Sequence, residues 1–472
     1  MSRSAGPGDR VHDFEYMTEN KRSSKKRRYS GQPRKAPKGL APRREAVRLL
    51  NTILSHKKPF DEIWQLSLAN GELKTMTESD RALTRLIVMT SLRHLRHIDN
   101  ILATFLKNPL PKSAPGATNI LRSGIAQLLF LKSPAHAVLN IATSLAALDR
   151  SNRPFKGLIN GVLRNYTRAD PENLLGKNSP PGNTPEWLHN RWKHQYGREA
   201  AKKIARAHQH EPALDISVKA DAKIWAQRLN ATLLPTGSLR LSNAGNPVRL
   251  SGFDDGQWWV QDAAAALPAQ LFGNIAGKNL LDLCAAPGGK TAQLIAAGAK
   301  VTAVERSPQR MKRLAQNLKR LGFDANLVTT DAGEYLPPHP PDAILLDAPC
   351  TATGTIRRNP DVPYLKTHKN ITDLVKVQKR LIDHATEILK PGGTLIYCVC
   401  SLEYEEGEDQ ISELLANDKR FSLQPVAKNE VPGLSMAINS RGDLRILPHY
   451  WSDFEPGMQG LDGFYIARLI KS

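Results

Sequence analysis

Between residues 82 and 105, the apolar positions Leu83, Leu86, Ile87, Leu92, Leu95, Ile98, Ile101 and Leu102 fall mostly three or four residues apart. That is the period of an α-helix with one apolar face, so the stretch predicts one amphipathic helix or two in succession. Thr77, three residues before Asp80, suits the N-cap of such a helix. Further helical stretches cover 117–131 and 137–148, and Pro134 divides them because its ring cannot continue a helix. Strand-like alternation is nearly absent from residues 41–170, which predicts an all-α domain there. Pro180, Pro181, Pro185, Pro212, Pro235 and Pro247 then punctuate residues 171–262, where a helix at 199–208 and short strands predict a small α+β linking module. Apolar runs at 280–283, 301–305, 325–328, 343–346 and 394–399 alternate with helical stretches at 291–297, 308–321 and 372–389. This alternation predicts an α/β domain over 263–472, with a mostly parallel sheet and a ligand site outside the carboxyl ends of its strands.

Charge adds a class of partner. The 472 residues carry a net +21, a surplus that favours a polyanion such as nucleic acid or a membrane surface. The first 44 residues hold thirteen Lys or Arg against four acids, so +9 sits in this segment and +12 in the rest. With few apolar residues to offset ordering entropy, residues 1–40 are expected to be a disordered basic tail that contacts phosphates or only aids solubility. No run of about 18 apolar residues occurs, which argues against a membrane span. An apolar leader near the N-terminus is also missing, so no secretory signal is expected. The four cysteines, Cys284, Cys350, Cys398 and Cys400, form neither a disulfide framework nor a zinc pattern. They suggest a reducing, cytoplasmic setting without a bound metal. No obligate protein partner is evident, and a monomer is expected.

The first strand of the α/β region runs into Asp282-Leu-Cys-Ala-Ala-Pro-Gly-Gly-Lys-Thr291. A glycine-rich turn between strand and helix lets backbone N–H groups approach a ligand. A Walker A loop would need glycine at position 284, which is Cys284, and the G-x-G-x-x-G dinucleotide pattern is absent. What remains is a nucleoside-binding turn made by Cys284, Ala285, Ala286, Pro287, Gly288, Gly289 and Lys290. Glu305 lies 23 residues after Asp282 at the end of the second strand, the place from which an acid accepts hydrogen bonds from ribose hydroxyls. Asp331 follows the third strand, on the adenine side of such a pocket, and Asp347 ends the fourth. Three acids at neighbouring strand ends repel one another unless a donor-rich ligand separates them.

Three segments carry a family resemblance: the 282–291 turn, Asp347-Ala-Pro-Cys-Thr351, and Cys398-Val-Cys-Ser-Leu-Glu-Tyr-Glu-Glu-Gly-Glu408. They resemble the Nop/Sun family of RNA cytosine-5 methyltransferases. Leu461-Asp-Gly-Phe-Tyr-Ile-Ala-Arg468 is similar to that family's C-terminal strand, and the helical region ending in Gly157-Leu-Ile-Asn-Gly-Val-Leu-Arg164 is similar to a NusB-type RNA-binding domain. The resemblance implies a Rossmann-like class I methyltransferase domain behind a NusB-like domain, S-adenosylmethionine as cofactor, and ribosomal RNA of the small subunit as substrate. It implies that the fourth and fifth strands are neighbours, so that Cys350 and Cys400 face one cleft. Cys400 would then be the nucleophile, with Cys350 assisting product release. Cys398 is expected to pack inside its strand and Cys284 within its turn. Asp347 would meet the cofactor or the cytosine edge, and Lys290 would lie close by. Arg357 and Arg358 would contact phosphate or cytosine, or else form a solvated surface pair.

The sequence departs from the family at Val399, usually Thr, and at Asp215-Ile-Ser-Val218, usually Arg-Val-Asn. Two rival readings stay open. A DNA cytosine-5 methyltransferase would attack with Cys350, and an RNA-binding assembly factor would keep an inactive methyltransferase fold.

Overall fold

The computed structural model describes residues 37–169, 182–242 and 244–472. The basic tail expected over 1–40 falls almost wholly outside these residues.

The first half is helical. Helices α1 (Leu40–His56), α2 (Phe60–Asn70), α3 (Glu78–Arg93), α4 (Leu95–Phe105), α5 (Pro115–Leu129), α6 (Ala135–Leu148) and α7 (Lys156–Arg168) pack around two apolar clusters. The 82–105 stretch is the pair α3 and α4, broken at His94. Thr77 does cap α3, with its hydroxyl accepting from the Asp80 N–H at 3.1 Å.

Helix α8 (Glu186–Ala207) is longer than the 199–208 expected and bends at Gly197 (φ 81°, ψ 165°). Glycine takes that conformation at no steric cost, so the apolar face resumes after the break. Beyond it, β1 (Leu214–Val218), α9 (Ala222–Arg228), β2 (Thr232–Leu233), β3 (Leu239–Leu241) and β4 (Trp258–Val260) build a four-stranded antiparallel sheet in the order β2-β3-β1-β4.

The remainder is a doubly covered sheet. It comprises α10 (Ala263–Gln270), β5 (Asn279–Leu283), α11 (Gly289–Ala296), β6 (Lys300–Val304), α12 (Pro308–Leu321), β7 (Asn326–Val328), β8 (Ala343–Asp347), α13 (His368–Ile388), β9 (Thr394–Val399), α14 (Glu408–Asn417), β10 (Phe421–Leu423), β11 (Leu444–Ile446) and β12 (Phe464–Lys471). The order is β10-β12-β9-β8-β5-β6-β7, with β11 also on β12; β5 to β9 run parallel and β12 runs antiparallel to β9. Alternate residues point to opposite faces. Leu280, Leu345, Ile396 and Ile466 enter one apolar cluster, and Leu281, Ile344, Leu395 and Tyr465 enter the other. Burial on both faces is why these strands read as continuous apolar runs.

The helical half is seated on the α/β half. The Phe60 N–H donates to Asp361 at 2.9 Å, and Arg93 Nη1 donates to the Arg357 carbonyl at 2.6 Å. Leu188, Trp192 and Ile204 of α8 bury against Ile356, Leu402 and Leu447.

Candidate active site

The 284–288 turn is shaped by two left-handed residues, Cys284 (φ 64°) and Gly288 (φ 101°). A Cβ on Gly288 would come within 3.2 Å of Leu314 Cγ, so strain and space both favour glycine. The Ala285 N–H donates to the Val304 carbonyl at 3.0 Å, Arg310 Nη2 to the Ala286 carbonyl at 2.6 Å, and Asn317 Nδ2 to the Pro287 carbonyl at 2.8 Å. These bonds fix the turn from outside and leave the start of α11 facing the carboxyl ends of the strands. Burial pushes the Cys284 thiol up to about 12.

Asp282 lies beneath this turn with no exposed surface. Thr291 Oγ1 donates to its Oδ2 at 2.6 Å, while Oδ1 has no partner. Burial, reinforced by the negative charge of Asp347, raises its carboxyl to about 7. Sequence reading gave Asp282 no role beyond opening the motif. Its signal is a carboxylate inside an otherwise apolar strand.

Glu305 follows β6 and is 1% exposed. Its Oε1 accepts the Ser307 N–H at 2.9 Å, and Arg310 Nη1 stands 3.1 Å from Oε2 without an aligned hydrogen bond. Asp331 accepts from Arg380 Nη2 at 2.8 Å and from the Gly333 N–H at 2.8 Å, and the Arg380 bond holds its carboxyl below the usual range. Asp347 accepts from Lys290 Nζ at 2.8 Å. Each acid therefore has its own cation. The expectation that a ligand must keep the three apart is corrected, because protein donors already do so.

Burial works against charge on Lys290, but Asp347 overrides it and holds the ammonium above its usual value. The ammonium also lies 5.2 Å from the Phe464 ring centre, a cation–π contact.

The thiols of Cys350 and Cys400 come together through strand register. Asp347 on β8 pairs with Cys398 on β9, so Cys350 and Cys400 fall in adjacent loops just past the strand ends, with Sγ atoms 3.4 Å apart. The bond to Cys400, together with burial, raises the Cys350 thiol well above its ordinary range. Cys398 is buried within β9, as expected, and its Sγ is 3.5 Å from Asp347 Oδ1.

Both loops are clamped by acids that look solvent-facing in the sequence. Glu406 has no exposed surface. It accepts the Thr351 N–H at 2.9 Å and Gln378 Nε2 at 3.1 Å, and bonds the hydroxyls of Thr351 and Ser401. Burial raises its carboxyl. Glu403 takes Trp192 Nε1 at 3.1 Å and Thr353 Oγ1 at 3.2 Å, and is paired with Arg191 of α8. The solvated alternative is overturned for Arg357, while Arg358 keeps 36% of its side chain exposed. Arg357 is 3% exposed and donates to the Gln459 carbonyl at 2.6 Å, and Arg358 is paired with buried Asp462.

Among the described residues no helix is long and apolar enough to cross a membrane, and no group of three or more His, Cys, Asp or Glu side chains is arranged for a metal ion. The donor set fits S-adenosylmethionine. Glu305 is a buried acceptor for a diol, the turn offers backbone N–H groups, and Asp282 Oδ1 beneath the turn is a further polar atom without a partner.

Residues 271–470 match the family described as 16S rRNA methyltransferase RsmB/F, and residues 40–168 match the NusB family. The chain is 34% identical over 424 residues to ribosomal RNA small subunit methyltransferase B of Sodalis glossinidius, covering 84% of this chain and 91% of that protein. It is 32% identical over 417 residues to the protein of the same name from Cronobacter sakazakii, covering 84% and 92%. Among solved structures, a methyltransferase homolog from Pyrococcus horikoshii shares 25% identity with a TM-score of 0.51, over 61% of this chain and 95% of that one. The crystal structure of PH0851 shares the fold over 92% of this chain and 99% of that chain, with a TM-score of 0.72 at 24% identity. The motifs, the thiol pair and these matches lead to one conclusion: the chain belongs to the RsmB/F family of 16S rRNA methyltransferases, S-adenosylmethionine-dependent enzymes, and carries a NusB-family domain in its N-terminal half.

Proposed function

We propose that this chain methylates carbon 5 of a cytidine in small-subunit ribosomal RNA, in the cytoplasm, through a covalent adduct between Cys400 and carbon 6. The observation that carries this reading is the 3.4 Å separation of Cys350 and Cys400 at the carboxyl ends of β8 and β9. Carbon 5 of cytosine is a poor nucleophile while the ring is aromatic. Addition of the Cys400 thiolate to carbon 6 forms a C–S bond and moves the ring electrons toward carbon 5, which becomes enamine-like. S-adenosylmethionine supplies the electrophilic methyl group. A base then takes the carbon 5 proton, those electrons restore the double bond, and the C–S bond breaks to return the thiolate. Cys350 assists that last release.

Glu305 holds the ribose of the cofactor, and the turn from Cys284 to Gly289 lines its nucleoside side. Asp331 bounds the adenine side. Asp347 and Lys290 stand between the cofactor pocket and the thiols, where Asp347 meets the cofactor or the ring edge. The target base must leave its stack to reach Cys400, which favours a loop or single-stranded site.

The test is transfer of a labelled methyl group to unmodified small-subunit ribosomal RNA, followed by nucleoside analysis and mapping. 5-Methylcytidine at a discrete position supports the reading. Label at another atom, or methylation of DNA in place of RNA, rejects it.

A further inference from the structure

A cationic cavity borders Arg357, seven residues beyond Cys350, and the reaction above gives it no task. Lys203 and Arg206 in the last turns of α8, His210 just beyond, Arg357, and His449 line a cavity of about 320 Å³. None of the lining side chains is acidic. Its remaining polar side chains are occupied with local partners: Ser452 Oγ bonds Asp453, and Gln459 Nε2 donates to the Ser452 carbonyl.

Arg357 is the built element of the site. It is 3% exposed, its Nη2 donates to the Gln459 carbonyl at 2.6 Å, and its Nη1 has no partner. The nearest carboxylates are engaged elsewhere. Asp462 pairs with Arg358, and Asp262 accepts the N–H groups of Ala264 and Asp462. Arg93 Nη1 donates to the carbonyls of Arg357 (2.6 Å) and His210 (3.2 Å), which pins two walls of the cavity together. Gly460 (φ 74°) passes where a Cβ would come 2.9 Å from the guanidinium carbon of Arg357. Burial lowers both His449, to about 4, and His210. Neighbouring cations add to it, Lys203 at His449 and Arg357 with Arg93 at His210. A buried guanidinium with a free N–H in such surroundings calls for an anion with several acceptor oxygens, and phosphate is the planar fork's natural counterpart.

The cavity also lies near the chemistry. The Gly463 N–H donates to the Gly354 carbonyl at 2.8 Å, and the Gly354 N–H to the Cys400 carbonyl at 3.0 Å. Gly460 is three residues, about 11 Å of chain at most, from that ladder.

We propose that this cavity holds a backbone phosphate of the RNA strand beside the target cytidine. The proposal rests on the RNA-methyltransferase reading and adds where the strand is anchored.

The test uses the exposed side chains Lys203 and Arg206 changed together to Gln, which spares buried Arg357, with melting curves to confirm folding. RNA binding is measured as a function of salt for wild type and variant, alongside methyl transfer. Each phosphate contact to a single strand contributes about 0.7 to the slope of log K against log salt. The slope should therefore fall by about 0.7 and the affinity for RNA by roughly four-fold near 0.15 M salt. The KM for RNA should rise, with cofactor affinity unchanged. An unchanged slope and KM in a folded variant would overturn the proposal. So would calorimetry in which inorganic phosphate binds wild type and not the variant while the RNA slope stays the same, since the site would then serve a free anion. Failure of wild type to methylate RNA would strike the parent reading, whereas the slope comparison judges the anchor separately.

Discussion

Cys350 Sγ stands 3.4 Å from Cys400 Sγ, each on a loop that Glu406 bonds directly. The contact to Cys400 and burial hold the Cys350 thiol above its ordinary range, which suits the proposed division of work in which Cys350 keeps its proton for the release step.

Glu305 is the buried carboxylate to which the cofactor's ribose is assigned. Glu305→Ala should weaken S-adenosylmethionine binding by about 1–3 kcal/mol, the range for a lost charge-assisted hydrogen bond. Calorimetry on the folded variant checks this. Unchanged affinity would remove Glu305 from the cofactor site.

Asp282 gives a pH signature. Its carboxyl sits at about 7 in the fold, against about 3.9 in an unfolded chain. The stability linked to its bound proton is complete below about pH 4 and is lost as pH rises through about 7. Asp282→Asn stays neutral throughout, so its stability relative to wild type should grow with pH, by at most about 1.4 kcal/mol per unit between 4 and 7. Asp462, also raised to about 7 by burial, contributes to both proteins and cancels. Parallel denaturant-derived pH curves for the two proteins would contradict the assignment.

Much of this was legible before the fold was known. Apolar runs buried on both sheet faces and the glycine turn between β5 and α11 have local causes, so they read directly from the chain. The pairing of Cys350 with Cys400 was legible through resemblance, since only strand order brings residues fifty apart together. Glu403 and Glu406 were not legible as buried clamps. They stand in an acidic run, and their partners Trp192, Arg191, Gln378 and Thr351 come from distant segments. For Arg357 the choice between a phosphate contact and a solvated surface charge stayed open for the same reason, because sequence displays a charge and not what covers it. The departure at Asp215-Ile-Ser-Val218 also found its meaning in space: Asp215 is the bidentate partner of Arg240.

That pair supports a stability prediction. Arg240 Nε and Nη2 donate to Asp215 at 2.6 and 2.7 Å, and Nη1 donates to the Met458 carbonyl at 2.6 Å, all buried. Arg240→Ala leaves a buried carboxylate uncompensated and should cost about 3–5 kcal/mol. Arg240→Ala combined with Asp215→Asn should recover part of the loss. Urea unfolding showing a cost below about 1 kcal/mol would mean the pair is not what joins the small sheet to the 458–462 segment.

The most direct measurement is covalent capture of RNA by single-cysteine variants. Cys350→Ala and Cys400→Ala are incubated with small-subunit ribosomal RNA and S-adenosylmethionine, run on a denaturing gel, and checked for folding by thermal melts, because a small thiol in a packed site also contributes to stability. If Cys400 attacks carbon 6 and Cys350 serves release, Cys350→Ala accumulates a protein–RNA band, while Cys400→Ala shows neither a band nor methyl transfer. A band carried by Cys400→Ala would make Cys350 the nucleophile and contradict the account, and no band from either folded variant would contradict covalent catalysis altogether.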